Sequence, residues 1–188
     1  MNKVIVGLDE VGRGCIAGPV VAAAVVLDAH QPIEGLMDSK KLTKKRREEL
    51  SINIIELAKD YSIGRAEVTE IDEINILQAS LLAMKRAFEG LTAQVDFALV
   101  DGTFYPDINT PGECVKAGDD LVAEISAASI IAKVYRDKHM AILDALYPGY
   151  GLSKHAGYPT PEHKLQLNKL GVADIYRRTF APVREALS

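Results

Sequence analysis

Residues 8–15 read LDEVGRGC, directly after the apolar run Val4-Ile5-Val6-Gly7. The run has the continuous apolar character of a strand buried on both faces. It ends on two acids, Asp9 and Glu10, with Gly12-Arg13-Gly14 immediately behind them. Burying one unpartnered carboxylate costs several kcal/mol in practice. Either the acids emerge at the strand end or a positive charge is held there. Neighbours on a regular strand point to opposite faces, so both acids can face one ion only if the strand ends or bulges at Asp9–Glu10. Gly12 and Gly14 suit such a break, and Asp9 is the better placed of the two acids.

Further strands are expected at Val20–Leu27, Tyr61–Val68 and Asp96–Val100, with a weaker one at Cys114–Lys116. A helix is expected over Thr43–Lys59, with Leu50, Ile54 and Leu57 on one face. Thr69 is the expected cap of a helix running to Glu89, with Ile71, Ile74, Leu81, Met84 and Phe88 inward and Gly90 at the stop. A long helix spans Leu121–Leu146, and a short one starts near Pro161. The second strand follows the first closely, as in an antiparallel hairpin, whereas later strands separated by helices suit parallel crossovers. An α/β fold with a mixed sheet and helices packed on it follows.

The chain has 188 residues, 48% of them hydrophobic and 26% charged, with a net charge of −4. That length fits one domain with a sizeable core, its C-terminal part helical from about residue 159. No run reaches eighteen apolar residues, so no membrane span is expected. The N-terminus enters a strand without a leader pattern, and Cys15 and Cys114 have no metal-ligand spacing. Both point to a cytoplasmic protein with reduced thiols. The net charge does not exclude a nucleic-acid partner, because local clustering of cations decides that.

Asp101 ends the run Phe97–Val100 and precedes a glycine. Asp119-Asp120 precedes the long helix, and Asp120 is the nearer to a capping position. Strand ends in α/β sheets are where ligand chemistry collects. Converging carboxylates repel unless a cation neutralises them, and an all-oxygen donor set favours Mg²⁺ or Mn²⁺ over zinc. The histidines show no zinc spacing, and His30 and His139 read as surface or packing residues. Lys44, Lys45, Arg46 and Arg47 fall in the first turn of a helix, where cations are unfavourable. A phosphate gathered there would offset that cost. Tyr158, in a loop between glycine and proline, is either a packing residue or a platform for a sugar or base.

Together these stretches resemble the bacterial type 2 ribonucleases H, the ribonuclease HII family. The resemblance runs from Val6 to about Val183 on "GLDEVGRG", "DSKKL", "GRAEVTEIDEINIL", "LVDG", "ISAASIIAKVYRD", "HAGYPT" and "RRTFAPV". It implies the ribonuclease H-like fold, a five-stranded mixed sheet flanked by helices. It implies two-metal hydrolysis with Mn²⁺ or Mg²⁺, acting on RNA–DNA hybrids and on duplex DNA containing ribonucleotides; a monomer is the default expectation. Cleavage 5′ to the ribonucleotide leaves a 3′-hydroxyl and a 5′-phosphate. By the same resemblance Asp9, Glu10, Asp101 and Asp119 are the metal ligands. Gly12, Arg13 and Gly14 contact the ribose 2′-hydroxyl, Tyr158 stacks on the following deoxyribose, and Lys40 meets phosphate. Arg46, from the cationic turn, joins the substrate-binding residues. Asp137 is assigned a structural role. Ala156 stands where lysine is frequent in the family, so no phosphate contact is carried over there. A DNA nuclease on the same fold would lack the Gly-Arg-Gly and tyrosine pair, and a non-catalytic hybrid binder would lack an acid.

Overall fold

The computed structural model describes residues 3–188. Five strands form one sheet: β1 (Ile5–Val11), β2 (Val20–Val26), β3 (Asp60–Ala66), β4 (Phe97–Asp101) and β5 (Gly112–Val115). Their spatial order is β3-β2-β1-β4-β5. β1 pairs antiparallel with β2 and parallel with β4, and β4 is parallel to β5. The expected parallel crossover fails at β3, which is antiparallel to β2. The cause lies in the connection. Residues 27–43 carry the chain along the sheet, and α1 (Lys44–Leu57) brings it back, so that Lys59 N–H bonds to Val26 O and β3 starts where β2 ended.

Helices cover both faces. α2 (Val68–Glu89) buries Ile71, Ala79, Ala83 and Met84 against Val6, Leu8, Ala22 and Val100. On the other face Leu50 and Ile54 of α1 join Ala128 and Ile131 of α4 (Ala123–Leu146) over Val21, Ala23 and Val25. Fully burying each such large aliphatic side chain is worth about 1.5–3 kcal/mol. Gly7 permits the close approach of α4, because a Cβ there would stand 2.1 Å from the Glu124 carbonyl carbon. A third apolar cluster joins the loop after β1, through Ile16 and Ala17, to the C-terminal segment, through Tyr150, Leu167, Tyr176 and Val183. That segment carries α5 (Leu152–His155), α6 (Pro161–Leu170) and α7 (Ala181–Leu187). Helix therefore begins at Leu152, ahead of the expected residue 159.

Two capping expectations change. Thr69 does not cap α2: the helix is capped at Glu67, whose N–H donates to the Glu70 carboxylate at 2.9 Å. Asp72 instead accepts from Arg178 N–H and Thr179 N–H, fastening the C-terminal segment to α2. Within α2, Asn75 takes φ 67°, and its side-chain oxygen accepts from Leu77 and Gln78 N–H, restarting the helix after a kink. The expected helix from Leu121 is also divided. A short turn, α3 (Gly118–Leu121), is separated from α4 by the extended Val122, and neither Asp119 nor Asp120 caps either piece.

Candidate active site

β1 neither ends nor bulges at Asp9. It stays paired with β2 through Asp9↔Ala23, Glu10↔Ala22 and Val11↔Val21. The two acids therefore lie on opposite faces of a continuous strand. Asp9 shares the α4 face with Gly7, and it is only 6% exposed. Glu10 shares the α2 face and borders a small depression of about 70 Å³ with Arg13, Leu77, Ser80, Met84 and Asp101. The parallel register Leu8↔Val100, continued by one residue, sets Asp9 and Asp101 abreast at the carboxyl ends of neighbouring strands. The cluster is thus assembled across the strand rim, with Glu10 entering from the opposite face.

Asp101 is fixed by Gly118 N–H, which donates to its Oδ1 at 2.8 Å, and that contact draws α3 and Asp119 to the rim. Asp119 is 7% exposed, and its carbonyl accepts from Ser126 Oγ at 2.7 Å. Asp120 points away and pairs with Lys41 at 2.7 Å, which separates the roles of the adjacent acids. Beneath Asp9, Ser129 of α4 offers its hydroxyl and meets Ser39 Oγ at 2.9 Å. Sequence reasoning did not single out Ser126 and Ser129. Their signal is two hydroxyls three residues apart in the otherwise apolar "ISAASIIA".

The electrostatics are those of crowded like charges. Burial, then Glu10 and Asp101, hold the Asp9 carboxyl well above its usual range. Burial also raises Glu10, opposed by Arg13 and reinforced by Asp101. Asp119 is raised by burial and by Asp101, against the pull of Lys40. The compensating cations are Lys40, whose Nζ lies 3.4 Å from Asp119 Oδ2, and Arg13, 3.5 Å from Glu10. Among the described residues no three acidic, histidine or cysteine side chains converge closely enough to hold a metal ion as they stand. The all-oxygen donor set nevertheless fits a hard divalent cation: charge is disfavoured on Asp9, Glu10 and Asp119, and an ammonium group already sits against one of them.

The Gly-Arg-Gly turn follows at once. Gly12 has φ +95° and lies against Arg136, where a Cβ would come within 2.2 Å of Nε, so glycine is required. The ring of Tyr158 stands over Gly14, with Cε1 3.7 Å from where a Cβ would be. Tyr158 is 41% exposed, leaving part of its ring open to a ligand. Acids, turn and tyrosine thus come together, with Lys40 beside them.

The cationic turn of α1 divides. Arg47 faces inward, donating to the carbonyls of Ser39 and Leu42 and standing 3.9 Å from Asp137, so it braces the loop that carries Lys40 and is withdrawn from phosphate. Asp137 is held in turn by Lys133 at 2.7 Å. Arg46 is about half exposed, lies against Gly35 and is 3.5 Å from Glu49, with no contact to the acids. Among the described residues no helix is long and apolar enough to cross a membrane.

The family model for Ribonuclease HII matches residues 6–183. Ribonuclease H2 from Pyrococcus horikoshii OT3 superposes with a TM-score of 0.83 at 29% identity, covering 97% of this chain and 96% of that one. Ribonuclease HII of Archaeoglobus fulgidus, solved in complex with PCNA, gives a TM-score of 0.75 at 24% identity, covering 94% of this chain and 95% of that one. Bst-RNase HIII in complex with Mn²⁺ gives 0.82 at 20% identity, covering 98% of this chain and 69% of that one. The acids at the strand rim and the match along almost the whole chain lead to one conclusion: the chain belongs to the ribonuclease HII family and is a ribonuclease H endonuclease.

Proposed function

We propose that the chain hydrolyses the RNA strand of RNA–DNA hybrids and cuts 5′ to ribonucleotides embedded in duplex DNA, leaving 3′-hydroxyl and 5′-phosphate ends. Asp9, Glu10, Asp101 and Asp119 hold divalent metal, Mn²⁺ or Mg²⁺. The observation that carries the reading is the Tyr158 ring over Gly14, in the turn that directly follows Asp9 and Glu10. All of these residues come from one chain, and the enzyme acts as a monomer.

When bound, a pair of such ions supplies an activated water and steadies the departing 3′-oxygen. The chain's own groups do the rest. Asp9 and Asp101, abreast on β1 and β4, bring two carboxylates to the scissile phosphate, and Asp119 and Glu10 approach from either side. Lys40, which among the described residues pairs with Asp119 and Asp38, stands exposed at the rim to meet phosphate charge. Gly12 and Gly14 let a sugar approach the main chain, where amide and carbonyl can engage the 2′-hydroxyl, which both donates and accepts. The Tyr158 ring then covers the neighbouring sugar and favours one that lacks a 2′-hydroxyl. Gly12, Arg13, Gly14, Lys40 and Tyr158 are the substrate contacts, and Arg46 adds a more distant cation for the duplex backbone.

The test is a labelled DNA duplex with one ribonucleotide, incubated with Mg²⁺, Mn²⁺ or EDTA beside an all-DNA control. The expected result is a metal-dependent nick on the 5′ side of the ribonucleotide, with the control intact. Cutting of both duplexes alike, or binding with no cut in either metal, would overturn the reading.

A further inference from the structure

Behind Tyr158 lies a circuit of buried polar groups that touches neither the acids nor the open rim. Arg136, on α4, is fully buried, and among the described residues it has no carboxylate partner; its guanidinium bonds main-chain carbonyls. Nε donates to Pro19 O at 3.0 Å, Nη2 to Ala17 O at 3.1 Å and Nη1 to Ala156 O at 2.7 Å. The first two acceptors belong to the loop that continues the Gly-Arg-Gly turn, and the third to the turn that delivers Tyr158. The same guanidinium packs under Gly12. Ile16 N–H bonds Gly157 O at 2.9 Å, closing the two loops on each other.

The far side of Tyr158 is held by His163, also fully buried. Its Nδ1 lies 2.8 Å from Tyr158 O, and its Nε2 lies 2.9 Å from Tyr176 Oη. A carbonyl oxygen can only accept, so Nδ1 carries the proton and Nε2 accepts from the Tyr176 hydroxyl. Tyr176 in turn bridges to Ala17 of the first loop. Gly-Arg-Gly loop, Arg136, Tyr158 turn, His163 and Tyr176 thus form a closed ring.

Stability does not explain this arrangement. A buried guanidinium without a counter-ion is costly, and apolar residues of similar volume commonly do as well or better. What a buried hydrogen-bonded network supplies is a single fixed geometry. We propose that Arg136 and His163 are positioning residues that fix the gap between Gly14 and the Tyr158 ring, and so match it to one nucleotide step from ribose to deoxyribose. Neither meets the substrate; both act through the main chain of the Tyr158 turn. The inference rests on the junction-reading role of Tyr158 proposed above.

The experiment compares kcat/KM on two duplexes of equal length, one with a single ribonucleotide and one with a continuous RNA strand, under the same Mn²⁺ concentration. Melting temperature is recorded for each variant. His163→Leu should lower the single-ribonucleotide rate roughly tenfold more than the RNA-strand rate, about the effect of losing one neutral hydrogen bond. His163→Asn, which keeps a donor near the Nδ1 position, should restore most of that ratio, and Arg136→Lys should shift it in the same direction as His163→Leu. Adding His163→Leu to Tyr158→Ala should change the ratio no further. If Tyr158→Ala shifts the ratio but His163→Leu slows both substrates equally, or only lowers the melting temperature, the positioning role is wrong and the tyrosine reading stands. If Tyr158→Ala leaves the ratio unchanged, both fall. Should Arg136→Lys fail to fold, the two His163 variants decide the matter.

Discussion

Lys40 Nζ stands 3.4 Å from Asp119 Oδ2, although the two residues are 79 apart in sequence and the lysine side chain is mostly exposed. The pair joins the loop ahead of α1 to the α3 turn across the mouth of the acid cluster. Its ammonium group places positive charge at that mouth, where the proposed site would receive substrate phosphate and metal. The lysine end of the pair is solvated, where an ion pair contributes little to stability, so Lys40→Met should fold normally. It should raise KM for both substrates about tenfold, with a smaller effect on kcat. The slope of log affinity against log salt should fall by about one, as for one lost phosphate contact. An unchanged slope would mean that the lysine serves only Asp119.

Asp9 is buried beside two other acids, and its charge is disfavoured where it stands. Removing that charge should therefore stabilise the metal-free protein while abolishing turnover, the trade often found where function requires a strained site. Asp9→Asn is expected to melt a few degrees higher in EDTA, corresponding to about 1–2 kcal/mol in a domain of this size. Mn²⁺ should raise the melting temperature of the parent and have little effect on the variant. Thermal scans with and without the ion check both statements. A variant that melts lower in EDTA would show that Asp9 is a structural acid.

The apolar runs announced β1, β2 and β4, whereas β3, mixed in sequence, and β5, expected only weakly at Cys114–Lys116, are half-buried or exposed strands with a fainter signal. The register did not follow from them. Two adjacent acids that face one ion need a break in β1 at Asp9; the strand instead runs to Val11 and delivers them on two faces. The direction of β3 was equally hidden, being set by the reach of residues 27–43, which carry no periodic signal. The resemblance chooses Asp119 over Asp120, and the physical separation between them lies in their long-range partners, Lys40 and Lys41. Arg136 is the most instructive miss. It lies on the same inward stripe of α4 as Ile125, Ser129, Ala132 and Met140, all buried. An arginine in such a stripe is the available clue, but its partners are main-chain carbonyls, which a sequence does not display.

The cationic first turn of α1 separates into two experiments. Arg47→Ala should cost about 2 kcal/mol of stability, since it leaves the Ser39 and Leu42 carbonyls without their charged donor. It should also weaken activity by loosening the Lys40 loop. Arg46→Ala, on an exposed side chain, should leave melting unchanged and weaken binding of all duplexes alike at low salt, hybrid or plain DNA. Binding titrations at two salt concentrations, with a melting curve for each variant, distinguish the two. A substrate-selective loss in Arg46→Ala would place it nearer the reacting strand than its contact with Glu49 suggests.

His163 gives the fold a pH signature that can be separated from that of the acids. Burial, helped by the ring of His155 stacked 3.9 Å away and opposed by the bond to Tyr158, pushes it down from 6.5 to about 4. The ring is thus neutral in the folded protein between those values and protonated in the unfolded chain. The unfolded state binds more protons in that window, so stability rises with pH there. The contribution is complete above pH 6.5 and is lost as pH falls toward 4, about 3 kcal/mol at most. His163→Asn cannot titrate, whereas the carboxylates titrate in both proteins and cancel in the difference. Urea unfolding from pH 4.5 to 8 should therefore give a parent-minus-variant stability that is flat above pH 6.5 and declines steadily below it. A constant difference across the range would mean that the ring keeps its ordinary affinity for the proton, and that its two hydrogen bonds do not fix the neutral form.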